Sequence, residues 1–288
     1  MGVRQNLDIA NRLEEVAALL EEQGASSFRV AAYRRGADAV RGLDRPAAEL
    51  LAERGLRALE ALPAIGEGLA VAIESLVRTG HLPLLDRLRG ESDPVALLAS
   101  VPGIGEILAN RLHETLGIET LADLELAAHD GRLAQLPGFG LHRIAGIREA
   151  LAGRLGRVRT GPAAAAVPVA ELLEVDTEYR RRAAAGTLPR IAPRRFNPTG
   201  AAWLPVLHTA RGPRQYTALF SNTARAHRLR RTDDWVVIYH DGRGTEGQCT
   251  VVTAREGALR GRRVVRGREA ECHRHYGADL GGHKEVSR

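Results

Sequence analysis

Leu62-Pro-Ala-Ile-Gly66, Val101-Pro-Gly-Ile-Gly105 and Leu136-Pro-Gly-Phe-Gly140 are three copies of one pattern: apolar, Pro, small, apolar, Gly. They start at positions 62, 101 and 136, which are 39 and 35 residues apart, and each opens an amphipathic stretch, so they form an internal repeat. Working outward, Ile9, Leu13, Val16 and Leu20 follow helical spacing across 7–24, with Gly24 as the expected C-cap. Further helices are predicted over 27–43 and 47–55. The N-terminal part reads as wholly helical.

Gly161-Pro-Ala-Ala-Ala-Ala-Val-Pro168 reads as a linker. Beyond it a helix is predicted over 169–185, followed by the Pro/Arg-rich stretch 188–198, which is expected to be irregular. Strand-like runs follow at 203–208, 216–220, 235–240 and 248–253, with a weaker one near 263–265. Asp241-Gly-Arg-Gly244 is a hairpin signal between two of them. A short helix is expected over 221–229, capped by Ser221 or Asn222. The expected fold class is α+β, an all-α N-terminal module followed by a small mixed α/β domain. The expected domains are 1–90, 91–160, a linker at 161–168, and 169–288.

Of the 41 basic residues among the 288, 40 are arginine, and the one lysine is Lys284. Residues 1–160 hold 19 arginines against 22 acids, net −3; residues 161–288 hold 22 basic groups against 13 acids, net +9. Biased codon usage explains scarce lysine but not that asymmetry, which points to an anionic partner, normally nucleic acid. An apolar fraction of 44% with 26% charge argues against disorder. No apolar run approaches the ~18–20 residues of a membrane span, and the N-terminus does not read as a signal peptide. Cys249 and Cys272 fit a cytosolic protein better than a disulfide scaffold. The expected place is therefore the cytoplasm, in association with the nucleoid.

The repeated turns have the form of helix-hairpin-helix motifs. Their Gly residues permit a tight turn and the approach of a ligand where no Cβ stands. The helix that follows offers unpaired N–H groups and a positive dipole end to a DNA phosphate. This grip needs no lysine and reads no base sequence. With Ser27-Phe-Arg-Val-Ala-Ala-Tyr-Arg-Arg35, Thr79-Gly-His-Leu82 and Leu116-Gly-Ile-Glu-Thr-Leu-Ala-Asp-Leu124, they make residues 4–155 resemble the N-terminal lyase-type and helix-hairpin-helix region of family X DNA polymerases. The resemblance implies binding to gapped, nicked or 5′-phosphorylated DNA in repair, beside other repair proteins. It places DNA contacts at Ala64, Gly66, Gly68, Gly103, Gly105, Gly138 and Gly140. It also implies a monovalent cation at the Gly turns, and Tyr33, Arg34 and Arg35 as a 5′-phosphate pocket.

The resemblance also has gaps. The family's phosphate-pocket and Schiff-base lysines fall at Gly68 and Ala72, and a Schiff base needs an amine. The family's Asp-x-Asp, which would hold metal for phosphoryl transfer, does not occur; Asp176-Thr-Glu178 comes nearest. Lysine-dependent lyase and polymerase chemistry are therefore not expected.

In residues 169–288 no family is recognised. They carry arginine clusters interleaved with rings: Tyr179 to Arg182, Arg190, Arg194, Arg195, Phe196, Arg211, Arg214, Tyr216, Arg225, Arg228, Arg230 and Arg231, then Arg260, Arg262, Arg263, Arg266 and Arg268. That composition suits a nucleic-acid surface, and Arg194, Arg195, Arg225 and Arg228 are the residues expected to touch DNA there. The competing reading is a structure-specific nuclease that uses Asp233, Asp234, Asp241 and Glu246, with His208 and His240, around Mg²⁺. A third makes this half an RNA-binding or protein-interaction domain. Cys249, Cys272, His273 and His275 lack the paired spacing of a zinc site, so no metal ligands are expected among them.

Overall fold

The computed structural model describes residues 2–91, 94–118, 121–155, 167–242 and 245–282. Six helices come first: α1 (Gly2–Glu22), α2 (Ser27–Arg41), α3 (Ala47–Arg54), α4 (Leu56–Glu60), α5 (Glu67–Thr79) and α6 (Pro83–Leu88). The periodic residues of α1, Ile9, Leu13, Val16 and Leu20, are all buried in the core these helices share. Ser26 caps α2, and Gly24 adopts the left-handed conformation after α1, at φ 71°. Asn6 is buried and bridges two segments: it donates to Arg45 O at 2.9 Å and accepts from Ala47 N, the first residue of α3, at 2.9 Å.

Four more helices follow, α7 (Pro94–Ala99), α8 (Glu106–Arg111), α9 (Leu121–His129) and α10 (Leu141–Leu155). Helix α8 runs on into a π-helical turn at Leu112–Leu116. These helices enclose their own core, which includes Val101, Ile104, Leu112, Leu133, Phe139 and Ile147.

Helix α11 (Val169–Ala184) leads to the strands β1 (Arg190–Ile191), β2 (Leu204–Arg211), β3 (Arg214–Phe220), β4 (Val236–Gly242), β5 (Thr245–Thr253) and β6 (Arg263–Val265). Helix α12 (Ala224–Arg228) lies between β3 and β4, and α13 (Glu269–Gly282) follows β6. Every strand pairs antiparallel with the next, so the sheet order is the chain order. The second half is thus an antiparallel meander with helices, which keeps the molecule in the α+β class. Two local expectations are corrected. Residues 190–191 of the Pro/Arg stretch pair with Pro205 and Leu204, because Ile191 has an apolar cluster to join. The cap of α12 is Thr223, whose Oγ1 accepts from Ala226 N at 3.1 Å, rather than Ser221 or Asn222. Helix α13 closes the core with Cys272.

By compactness the chain divides into two units, residues 1–91 with 167–288, and residues 92–166. In the first unit both sheet faces are covered. Leu207, Ala218 and Ile238 sit side by side in register and face α11 and α13. On the opposite face, His208, Thr217 and Tyr239 form another cross-strand row against the N-terminal helices. His208 Nε2 lies 3.1 Å from Gln23 Oε1, and the Arg87 guanidinium lies 3.8 Å from the Tyr239 ring centroid. Arg194 N donates to Gly90 O at 2.8 Å.

Candidate nucleic-acid interface

The three pentapeptides share one backbone geometry. In each, the fourth residue donates its N–H to the carbonyl of the first: Ile65 to Leu62 at 3.2 Å, Ile104 to Val101 at 3.0 Å, Phe139 to Leu136 at 3.2 Å. Proline holds the second position, and the third is left-handed, with φ 63° at Ala64, 85° at Gly103 and 94° at Gly138. That is the turn in which a positive φ is required at the third position. Ile65, Ile104 and Phe139 point inward and are buried. The fifth residue then begins a helix, because Gly66 O, Gly105 O and Gly140 O accept the first helical bonds from Ala70, Ala109 and Ile144. A Cβ built on Gly66, Gly68, Gly105 or Gly140 would meet nothing within 4 Å. Each helix N-terminus therefore opens outward past a residue with no side chain.

In the second unit the two turns are reciprocal. A Cβ at Gly138 would meet Leu108 Cδ2 at 2.9 Å, and one at Gly103 would lie 3.9 Å from Arg143 Cγ. Leu108 and Arg143 each stand three residues beyond the closing Gly of their own turn, so each helix start covers the other's turn. Pro137 O accepts from the Arg111 guanidinium and Gly138 O from that of Arg143. Oxygens that already face two positive charges are poor ligands for a cation at this turn.

Tyr33, Arg34 and Arg35 lie on α2, which meets α5 closely at Gly36, where a Cβ would stand 3.0 Å from Leu69 Cδ1. Tyr33 packs against the core; Arg34 is exposed and pairs with Glu21 at 2.6 Å; Arg35 is exposed. Of the two positions where the family carries lysines, Gly68 is exposed and Ala72 is buried.

The sheet domain sorts its arginines into structural and surface groups. Arg263 reaches buried Asp176 through Nε at 2.9 Å and Nη2 at 2.7 Å, and Asp234 through Nη1 at 2.5 Å. Arg211 pairs with Glu178 at 2.6 Å, Arg214 with Glu171 at 3.1 Å and Arg268 with Glu271 at 2.6 Å. Tyr179 and Tyr216 are core residues rather than surface rings. The Tyr179 hydroxyl donates to Pro205 O at 3.0 Å and accepts from Phe220 N at 2.8 Å, and the Tyr216 hydroxyl donates to Glu171. Burial pushes both phenols above their ordinary range. Arg194 and Arg228 are exposed, and the Arg195 guanidinium lies 5.5 Å from the Phe196 ring centroid. The Arg225 side chain lies outside the described residues.

Of the acidic candidates, Asp234 accepts from Thr253 Oγ1 at 2.6 Å and Thr253 N at 3.2 Å besides Arg263. Asp233 is exposed. Asp241 and Glu246 face each other across β4 and β5 in register, but their side chains lie outside the described residues. Among the described residues, no group of three or more His, Cys, Asp or Glu side chains converges. Cys272 is buried, its sulfur accepts from Val265 N at 3.3 Å, and burial pushes its thiol pKa up. His208 accepts from Thr217 and donates to Gln23, and so belongs to the packing of the sheet.

Comparison with known proteins bears on the first half of the chain. Residues 4–82 match the family described as Helix-hairpin-helix domain, and residues 95–155 match SAM-like Helix-hairpin-helix tandem. Residues 4–82 and 95–155 are thus helix-hairpin-helix segments, and together they are similar to the N-terminal region of a family X-type polymerase. The chain is 28% identical over 134 residues to the DNA polymerase/3′-5′ exonuclease PolX of Bacillus subtilis (strain 168). That alignment covers 46% of this chain and 22% of the relative. Here the helix-hairpin-helix region is followed by the antiparallel meander rather than a palm. No helix among the described residues is long and apolar enough to cross a membrane.

Proposed function

We propose that this protein binds DNA by its backbone at the three hairpins, and that gaps, nicks and 5′-phosphorylated ends are its preferred forms. The observation that carries the reading is the repeated geometry at Ala64, Gly103 and Gly138. Each turn delivers a helix start behind a glycine with open space in front of it. A phosphate oxygen entering that space meets backbone N–H groups and the positive end of the helix. The helix-hairpin-helix matches and a relative named as a DNA polymerase and exonuclease support DNA as the partner.

Arg34 and Arg35, on the helix that crosses α5, supply the charge for a 5′ phosphate beside the first turn. With Gly68 and Ala72 where the family has lysines, this site grips DNA without Schiff-base chemistry. Backbone recognition is indifferent to base sequence, which suits a repair protein working beside other repair proteins on the nucleoid. Fluorescence anisotropy with gapped, nicked, 5′-phosphorylated and intact duplexes over a salt series tests the reading. The expected result is tightest binding to gapped DNA and a linear fall of log affinity with log salt. Equal affinity for all four forms would remove the preference for discontinuities, and the absence of measurable binding would remove DNA as the partner.

A further inference from the structure

Between β1 and β2 the chain holds an aromatic residue out toward solvent in a conformation aromatic side chains rarely adopt. Phe196 has φ 53° and is 44% exposed. The loop around it is tied down on both sides. Asn222 Nδ2 donates to Arg195 O at 2.9 Å, Asn197 Nδ2 donates to Ala201 O at 2.9 Å, and Arg194 N donates to Gly90 O. Burial does not explain a large ring left half in water, and strained backbone of this sort persists only where its surroundings enforce it.

The Phe196 ring lies over His227, with centroids 4.5 Å apart and planes 32° from parallel. Trp203 meets the same imidazole edge-on at 6.3 Å and 87°. The His227 ring is also hydrogen-bonded, Nε2 to Asn222 Oδ1 at 2.6 Å. Since the Asn222 amide nitrogen already donates to Arg195 O, its oxygen must face the ring, and Nε2 is the donor. One asparagine thus sets both the imidazole and the loop that carries Phe196. Partial burial lowers the His227 pKa, which favours the neutral ring that stacks on Phe196. Arg194, Arg195 and Arg228 stand within two residues of Phe196 or His227 in the chain, and Arg194 and Arg228 are exposed.

We infer that Phe196, His227 and Trp203 form a stacking platform for the unpaired bases of single-stranded DNA, with Arg194, Arg195 and Arg228 taking the flanking phosphates. Every base has a π-face, so such a platform is indifferent to sequence, as the hairpins are. It gives the sheet domain a substrate of its own, the exposed strand of a gap. The inference rests on the proposed function only in taking DNA as the partner.

The test uses the full-length protein and fluorescein-labelled oligo-dT at fixed salt. Phe196→Gly removes the ring and suits the positive φ, so its melting temperature should hold while oligo-dT affinity falls roughly 5- to 100-fold. Phe196→Tyr should restore binding. An oligomer of abasic sites, equal in charge but without bases, should bind the parent protein as weakly as oligo-dT binds the glycine variant. Unchanged oligo-dT affinity in Phe196→Gly overturns the inference, as does equal binding of the abasic oligomer. Tighter binding of oligo-U than of oligo-dT would overturn the assignment to DNA. Gapped-duplex affinity measured alongside separates the two claims: if it persists while the platform results fail, this inference falls alone. If neither DNA binds, both fall.

Discussion

At Ala64 the backbone sits at φ 63°, a conformation that costs an L-residue about 1–2 kcal/mol. The equivalent positions in the other turns, Gly103 and Gly138, avoid that cost. Ala64→Gly should therefore be neutral to stabilising by up to ~1 kcal/mol, because the glycine also loses more chain entropy on folding. Gly103→Ala should cost ~1–2 kcal/mol from φ alone, since its nearest neighbour is 3.9 Å away. Gly138→Ala should cost more, ~2–4 kcal/mol, because the new methyl also meets Leu108 at 2.9 Å. Chemical denaturation of the three variants checks the order; a Gly103 variant less stable than the Gly138 one would contradict it. These turns were legible in the sequence because every determinant lies within five residues: the proline, the small third residue, the inward apolar residue and the closing glycine. Phe196 was read there only as a ring among arginines. Its positive φ goes with a loop held by Asn222 and Gly90, which are distant in the chain, and no local pattern records those contacts.

Of the guanidinium groups that join helix α11 to the sheet, that of Arg263 reaches the most deeply buried carboxylate. Arg263 on β6 spans Asp176 of α11 and Asp234, and Asp176 is 1% exposed. Arg263→Met would leave that carboxylate buried without a cation, at ~3–5 kcal/mol. A urea titration should show the loss, and a shift below ~1 kcal/mol would mean water reaches Asp176. Sequence periodicity located α1, α11 and the main strands, because side-chain spacing along one element reveals its buried face. It did not assign Arg263, Arg211 and Arg214 to structural pairs, because their partners lie on other elements, as with Arg263 and Asp176 87 residues apart. Tyr179 and Tyr216 went unread as core for a related reason: each satisfies its polar hydroxyl with a hydrogen-bond partner from another element.

At the scale of the molecule, the N-terminal helices and the meander meet at contacts that linear reading had no means to join. Gln23 donates to Leu88 O at 2.8 Å, which turns its amide oxygen toward His208 across 185 residues of sequence. Burial, with Arg29 and Arg87 close by, lowers the His208 pKa from 6.5 to about 3. The unfolded chain takes up that proton near pH 6.5 and the folded one does not. Stability from this site is therefore complete above pH 6.5 and falls as the pH drops toward 3, by at most ~1.4 kcal/mol per unit. His208→Gln should flatten that part of the stability profile; an unchanged slope between pH 6.5 and 4 would show that His208 does not set it. The central claim concerns the open helix starts, and Gly66→Asp with Gly105→Asp tests it most directly. Both positions lie at ordinary negative φ with nothing within 4 Å of a new Cβ, and aspartate is a good N-cap, so melting temperature should hold or rise. The same carboxylates would occupy the N–H groups and repel phosphate, so affinity for gapped duplex should fall at least roughly tenfold, the order of two lost charge-assisted backbone contacts. Gapped-duplex affinity equal to that of the parent protein, in a variant that melts no lower, would contradict the account.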